Sequence, residues 1–440
     1  MKSRRCLALT ALAAVVLLGA SRLPAGPAVD LDKLKDAYQQ AQKAYEAKDY
    51  PAYLKAVTEA LRYFPNHPIL LYRQAGAFAL NGQPLKALAP LRRTAGMGLV
   101  FDIWDNSDFR SLQHRPEFKT VMNLYARNAR PLKGSRRAFA IPGKGLLIEG
   151  LAYDPHSKKF LASSVRRREI LTVDRSGRTA PLSRPEDGLW AVMGLRVDAS
   201  RRLLWAAMSA LPQMEGYKAE DQGRAGLACY DLKTGALRTK YVLPGKPETH
   251  LLGDLAVDAE GTVVATDSQA PVIYAVPRTG DALEVLLQND DFQSLQGIDF
   301  SPDGKTLFVA DYSVGVYAID RQTKAVRLLE PPRGTALIGI DGLYFFRGSL
   351  LGVQNGLRPN RVIRMFLDPD YSRILKVSVL EANEPSMSEP TLGVVVDDAF
   401  YFNANSQWSL VDDRGRAAPD DKWQDPVILE IGLTEAEGKK

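Results

Sequence analysis

One six-residue phrase recurs six times in this chain, and it constrains the fold more than any other feature. Glu149-Gly150-Leu151-Ala152-Tyr153-Asp154 is followed by Met193-Gly194-Leu195-Arg196-Val197-Asp198, Gly253-Asp254-Leu255-Ala256-Val257-Asp258 and Gln296-Gly297-Ile298-Asp299-Phe300-Ser301. Asp341-Gly342-Leu343-Tyr344-Phe345-Phe346 and Leu392-Gly393-Val394-Val395-Val396-Asp397 complete the set. Each copy runs into a short polar turn and a second apolar stretch, such as Lys159 to Ser163 or Lys305 to Ala310. Successive copies begin 44, 60, 43, 45 and 51 residues apart. Repeats of about 40–50 residues with several strands each predict a β-propeller, here of six blades.

The residues ahead of the first copy follow another period. Leu31, Leu34, Ala37, Tyr38, Ala41 and Tyr45 recur at spacings of three and four, the stripe of an amphipathic helix. Further helices are expected over about Tyr50 to Tyr63, over Ile69 to Leu80 and from Pro84 onward. Asp49-Tyr50-Pro51 and Gly82-Gln83-Pro84 occupy equivalent turns 33 residues apart. That offset resembles the tetratricopeptide repeat, with its helix pair of about 34 residues. A third unit, from Phe109 to Leu124, reads as degenerate or as a cap. The fold class expected is mainly β, a six-bladed β-propeller preceded by a small all-α tetratricopeptide-like domain. Residues 29–132 form the helical domain and 133–440 the propeller, with the junction near Pro131 to Arg137. The last strand, Pro426 to Ile431, lacks a partner downstream and Ala138 to Ile141 lacks one upstream. Pairing the two would close the ring and remove an exposed edge.

Residues 1–28 read as a secretory signal peptide: Lys2, Arg4 and Arg5, then the apolar run Leu7 to Ala20, then small residues and prolines. The run falls short of the roughly 20 residues that span a bilayer. An exported protein, periplasmic or extracellular, is expected, with no stable membrane span after cleavage; a retained anchor is the alternative. The net charge of +6 falls to +2 without this segment, because it holds four basic residues and no acidic one. A near-neutral remainder gives no case for nucleic acid as a partner. Cys229 is then the sole cysteine, so no intrachain disulfide forms; on its strand it reads as a small core hydrophobe.

In a propeller the first strand of every blade lines the central channel. The residue before each Gly-Leu-type step therefore stands at one rim: Glu149, Met193, Gly253, Gln296, Asp341 and Leu392. The second strand returns to that rim and brings Asp267, Asp311, Asn355 and Asn405 nearby. Carboxylates and amides converging on a concave site suit a hard, oxygen-preferring cation such as Ca²⁺ or Mg²⁺. The same carboxylates suit general acid–base work. Asp341, beside a glycine, could equally cap a turn.

These copies, with Glu149-Gly150 at the start and Asp341-Gly342-Leu343 in blade 5, resemble the senescence-marker-protein/gluconolactonase family, which includes regucalcin-like proteins and lactonases. In that family a divalent metal in the channel polarises a lactone or ester, held by a Glu from blade 1, Asn from blades 3 and 4 and an Asp from blade 5. The resemblance implies metal ligation by Glu149 and Asp341, with Gln296 in place of one Asn; Gly253 replaces the other and offers no side chain. Ca²⁺ is the cofactor implied. Asp254 is the candidate general base, and His250, Asn355, Arg361, Trp408 and Asp311 are candidate substrate contacts. His250 and Trp408 can also be read as packing residues. Two functions follow: a metal-dependent lactone or ester hydrolase, or a non-catalytic periplasmic binding or scaffold protein with a ligand in the channel or a protein partner on the helices. No Gly-x-Ser-x-Gly elbow, phosphate loop, Cys-x-x-Cys or His-Glu-x-x-His is present, which removes support for serine-hydrolase, nucleotide-driven and zinc-protease chemistry.

Overall fold

The computed structural model describes residues 31–276, 279 and 282–434. The expected signal peptide lies outside them. Among the described residues no helix is long and apolar enough to cross a membrane.

Among the described residues five α-helices come first: α1 (Leu31–Glu46), α2 (Tyr50–Tyr63), α3 (Pro68–Leu80), α4 (Pro84–Gly96) and α5 (Pro116–Asn128). They pack as successive pairs, α1 on α2 and α3 on α4. The two equivalent turns are built alike. Pro sits in the first turn of α2 and of α4, where a missing N–H costs nothing. Asp49 caps α2 by accepting Ala52 N at 3.0 Å. Asn81 then ties one turn to the other, donating to Tyr50 O at 2.7 Å and Ala77 O at 2.8 Å.

The remaining strands form six four-stranded antiparallel sheets. The first strands, Ile148–Asp154, Ala191–Asp198, Leu252–Val257, Leu295–Phe300, Ile340–Phe346 and Gly393–Val396, each carry one copy of the phrase. Blade 6 is closed by Ser135–Ala140, which pairs with Val427–Gly432, so the two ends of the propeller share a sheet as expected. The strand begins at Ser135, inside the stretch read as the junction. Inner strands are buried on both faces because each blade packs between two others; Ser349–Gln354 is buried throughout. Outer strands face water on one side, and Leu237–Leu243 accordingly alternates.

The pairing also explains the phrase. In blades 1 to 5 the register slips between the residue before the phrase and its third residue: Ile148/Leu151, Val192/Leu195, Leu252/Leu255, Leu295/Ile298 and Ile340/Leu343. Each phrase thus starts in a β-bulge. The inner strands crowd together at the bulge, and a Cβ on Gly150 would fall well inside van der Waals distance of Met193 O. Gly297 faces Leu343 N in the same way. Glycine recurs because the neighbouring blade's backbone occupies the space of a side chain.

The helical domain docks on the rim face of the propeller over blades 3 to 5. Ala336, Ile338 and Leu357 join the helical core with Val57, Leu71 and Met97. Leu31 packs with Phe292, Leu295 and Val314. Val100 N donates to Arg358 O at 2.8 Å. A long polar insertion in blade 2 runs from Ala210 to Gly226. It covers the other half of the same face: Arg166 reaches Glu215 at 2.7 Å, and Met214 shares a core with Val411 and Trp423.

Candidate functional site

Two layers of side chains fill the channel, and both come from the phrase. The upper layer is the rim. Glu149 is 5% exposed, and its Oε2 accepts from Trp408 Nε1 at 2.8 Å and from Ser406 Oγ at 3.2 Å. Trp408 gets there from the long loop after the second strand of blade 6. Gln407 turns that loop through a left-handed backbone conformation (φ 70°). Its amide is held both ways by residue 424: Gln424 N donates to Oε1 at 2.8 Å, and Nε2 donates to Gln424 O at 3.1 Å. Asp341 Oδ2 accepts from Asn355 Nδ2 at 2.8 Å. Asn355 also donates to Pro390 O, and its Oδ1 accepts from Tyr312 Oη at 2.9 Å.

Burial pushes both carboxyls above the usual carboxylate range. The neighbouring Asp341 charge adds to the effect on Glu149, while Asn355 works against it on Asp341. Tyr312 is pushed up to about 12, chiefly by burial.

A cavity of about 160 Å³ opens against Asp341. Blade 5 contributes Asp341, Asn355, Arg358 and Asn360; blade 4 contributes Tyr312; the segments leading into and out of blade 6 contribute Ser388, Glu389, Thr391 and Trp408. Glu149 lies behind Trp408. Polar surface predominates in the lining, which suits a small polar molecule.

The lower layer was not foreseen. Arg196, Asp299 and Tyr344, each the fourth residue of its phrase, meet Asp254, the one residue that replaces the bulge glycine. Arg196 Nη2 stands 3.7 Å from Asp254 Oδ2, and its Nε donates to Leu255 O at 2.9 Å. The guanidinium lies over the Tyr344 ring, 4.8 Å from its centroid. Asp299 accepts from Phe300 N and Phe345 N, and Tyr344 Oη accepts from Gly393 N at 2.6 Å. Blades 2, 3, 4, 5 and 6 are thereby joined across the axis. Asp254 is 2% exposed, and burial raises it to about 6 against the pull of Arg196.

The other residues read from the sequence are dispersed. Gln296 donates to Ser294 Oγ at 3.2 Å, and its Oε1 faces Gly253, 3.5 Å from where a Cβ would stand. His250 is buried with Nδ1 2.7 Å from Asp267 Oδ2, in edge contact with Tyr274. Asp311 spends its carboxylate on the backbone N–H groups of Gln293, Ser294 and Ser313. Asn405 bridges Asp425 O and Val427 N. Arg361 lies between the domains: Nε donates to Gln354 Oε1 and Nη1 to Met97 O at 3.0 Å, and burial lowers its pKa to about 10. Cys229 is buried and its thiol is pushed up to about 11, as expected of a core residue. Of the proposed site residues, Asp341, Asn355 and Trp408 line the cavity and Glu149 adjoins it. Sequence reading missed Tyr312, Arg358, Asn360 and Glu389, which lie in loops outside the repeated phrase.

The donors suited to a hard cation are Glu149, Asp341 and the Gln296 amide. Among the described residues no three His, Cys, Asp or Glu side chains stand close enough to hold a metal ion. Even so, Glu149 Oε1 and Asp341 Oδ1 are left over from the hydrogen bonds above, and a cation would relieve the repulsion between the two carboxylates. Two carboxylates and one amide are an incomplete set for such a cation, which water would have to complete.

No family model matches this chain, and no curated protein matches it. Solved structures similar to it include a PQQ-bound aldose sugar dehydrogenase from Streptomyces coelicolor, at 16% identity and a TM-score of 0.47 over 69% of this chain and 98% of that one. A gluconolactonase from Xanthomonas campestris is 17% identical, with a TM-score of 0.45 over 70% of this chain and 93% of its own. Virginiamycin B lyase from Staphylococcus aureus, solved with quinupristin, is 13% identical, with a TM-score of 0.44 over 69% and 98%.

Proposed function

We propose that the rim cavity is the catalytic pocket of an exported hydrolase acting on a small polar ester or lactone. One observation carries this reading: Asp341, a half-buried carboxylate raised above its usual range, borders a polar cavity with a second raised and buried carboxylate, Glu149, behind it. A base raised toward neutral pH is well matched to proton transfer there. Asn355 fixes Oδ2 of Asp341, so Oδ1 takes a proton from a water as its oxygen attacks the carbonyl carbon. The carbon–oxygen bond to the leaving group then breaks, and Asp341 returns the proton to the departing alkoxide. One water is consumed and Asp341 is regenerated. Arg358, the cation of the lining, faces the negative charge that develops on the carbonyl oxygen. A Ca²⁺ or Mg²⁺ held by Glu149, Asp341 and Gln296 would polarise that carbonyl. Glu149, hydrogen-bonded to Trp408, holds the Asp341 side of the pocket in place.

The test is thermal stability and metal content of the mature protein beside Glu149→Ala and Asp341→Ala. Metal at about 100-fold excess over its dissociation constant adds about 2.7 kcal/mol to the wild type alone if this set binds it. No stoichiometric metal and no shift removes the metal from the reading and leaves Asp341 as base. Absence of turnover on any lactone or ester sinks the hydrolase. The second reading is a binding protein whose partner docks on the helices. It is favoured by the exposed aromatic side chains Tyr38, Tyr45 and Trp104.

A further inference from the structure

One buried cation has no role in the proposed hydrolysis. Arg361 is 4% exposed, and burial alone shifts its pKa, downward, because no carboxylate stands near enough to oppose it. A buried charge without a counter-charge is costly unless good acceptors surround it. Its donors reach neutral acceptors on both sides of the domain boundary: Nη1 donates to Met97 O at 3.0 Å and Nε to Gln354 Oε1 at 2.5 Å. The turn that carries Met97 is itself fixed. Gly98 takes a left-handed conformation (φ 73°), and Asn128 Nδ2 donates to Ala95 O at 2.8 Å and Leu99 O at 2.9 Å.

On the propeller side the contact continues to the pocket. Gln354 is buried, and its Nε2 donates to Ala336 O at 3.0 Å and Ile338 O at 2.6 Å, on the segment leading into blade 5. That segment turns at Gly339 (φ 72°), whose N donates to Tyr312 O at 2.7 Å and whose O accepts from Asn355 N and Gly356 N, each at 3.1 Å. The turn is tightly packed: a Cβ on Gly356 would stand 2.7 Å from Tyr312 Cζ, and one on Gly339 2.7 Å from Gly356 Cα. Asn355 follows Gln354 in the chain and holds Asp341 Oδ2. Val100 N fastens the same loop at Arg358 O. We propose that Arg361 is a positioning residue of the pocket: through Gln354 and the turn at Gly339 it sets where Asn355 stands against Asp341, so the seat of the helical domain tunes the site. Its effect on turnover rests on the hydrolase reading; its effect on Asn355 does not.

The experiment follows the side-chain amide of Asn355 by NMR in the full mature protein made with isotope-labelled asparagine, its signal assigned by its loss in Asn355→Ser. Arg361→Met moves that signal and speeds hydrogen exchange at the Asn355 and Gly339 backbone N–H groups by about 2–10-fold, the protection that one hydrogen bond supplies. Arg361→Lys keeps the charge but not the planar fork, so it moves the same groups by less, and it carries the test if the Met variant does not fold. A purely stabilising role would lower the unfolding midpoint and leave this native-state signal in place. Asn383→Gly is the control. It cuts a different tie between the domains, from Asn383 Nδ2 to Ala129 O, keeps the left-handed backbone (φ 52°) and leaves the Asn355 signal where it was. An Asn355 signal unmoved by the Arg361 variants overturns the inference, as does an equal shift in Asn383→Gly. If Asn355 moves with Arg361 and no ester or lactone is cleaved, the hydrolase reading fails and the positioning role stands.

Discussion

The two layers of the channel come from the same repeated phrase yet are built for opposite ends. The lower layer, Arg196, Asp254, Asp299 and Tyr344, comes from four blades and reaches a fifth through Gly393 N. The upper layer places Asp341 on an open polar space, with Glu149 behind Trp408. Each layer buries carboxylates and each raises their pKa values. Below, a guanidinium answers the charge from within the protein. Above, no guanidinium stands between Glu149 and Asp341, so a proton, a cation or a ligand must supply what Arg196 supplies below. A carboxylate met by a guanidinium inside the protein reads as a structural device; one that borders a cavity is a place for chemistry.

The comparison breaks most visibly if Arg196 is removed. Arg196→Met leaves buried Asp254 and half-buried Asp299 without a cation and is expected to cost about 3–5 kcal/mol, read as a fall in denaturant midpoint. Asp341→Asn does the reverse: stability holds or rises slightly, while hydrolysis falls about 10²–10⁴-fold. A third variant tests the crowding that separates the blades at the axis. Gly150→Ala drives a methyl group against Met193 O and is expected to cost about 1–3 kcal/mol, whereas Gly432→Ala, with open space around it, costs little.

The lower layer also makes a prediction about pH. Asp254 in the fold titrates at about 6, above the ordinary value of about 4. Between those two pH values the folded state holds a proton that the unfolded state has lost. Stability from this group therefore falls as pH rises through that window and is level above it. The difference in unfolding free energy between wild type and Asp254→Asn should change by about 1–3 kcal/mol between pH 4 and 7, then stay flat. A difference independent of pH would show that Asp254 is ionised throughout. The smallest effect concerns the blank in blade 3. A Cβ at Gly253 meets Ser268 Oγ at 3.4 Å and Gln296 Oε1 at 3.5 Å, so Gly253→Asn is expected to fold with less than about 1 kcal/mol of loss. It adds an amide oxygen to the cation set, and Ca²⁺ affinity should rise.

The architecture was legible because it is written in repeats. A phrase copied six times marks each inner strand, and unpaired first and last strands imply closure. The rim positions of Glu149 and Asp341 followed from that geometry alone. The lower layer stayed hidden because Arg196, Asp299 and Tyr344 each look like an ordinary residue of an alternating strand; only lining up the fourth position of all six copies brings them together. Arg361 resembled a ligand-binding arginine in sequence. Its partner, Met97 O, lies 264 residues away in the helical domain, a contact no local pattern encodes. The docking of the helices over blades 3 to 5 was invisible for the same reason. One consequence is structural: the turn at 97–101 and Arg361 hold the loop that carries Asn355, Arg358 and Asn360, so the helical domain forms part of the pocket's support.

The most direct measurement is hydrolysis of a panel of small lactones and esters by the wild type, Glu149→Gln and Asp341→Asn, each with chelator and with Ca²⁺ or Mg²⁺. The account predicts turnover by the wild type on at least one substrate and a loss of about 10²-fold or more in Asp341→Asn at unchanged thermal stability. No turnover by the wild type, or full activity in Asp341→Asn, would contradict it.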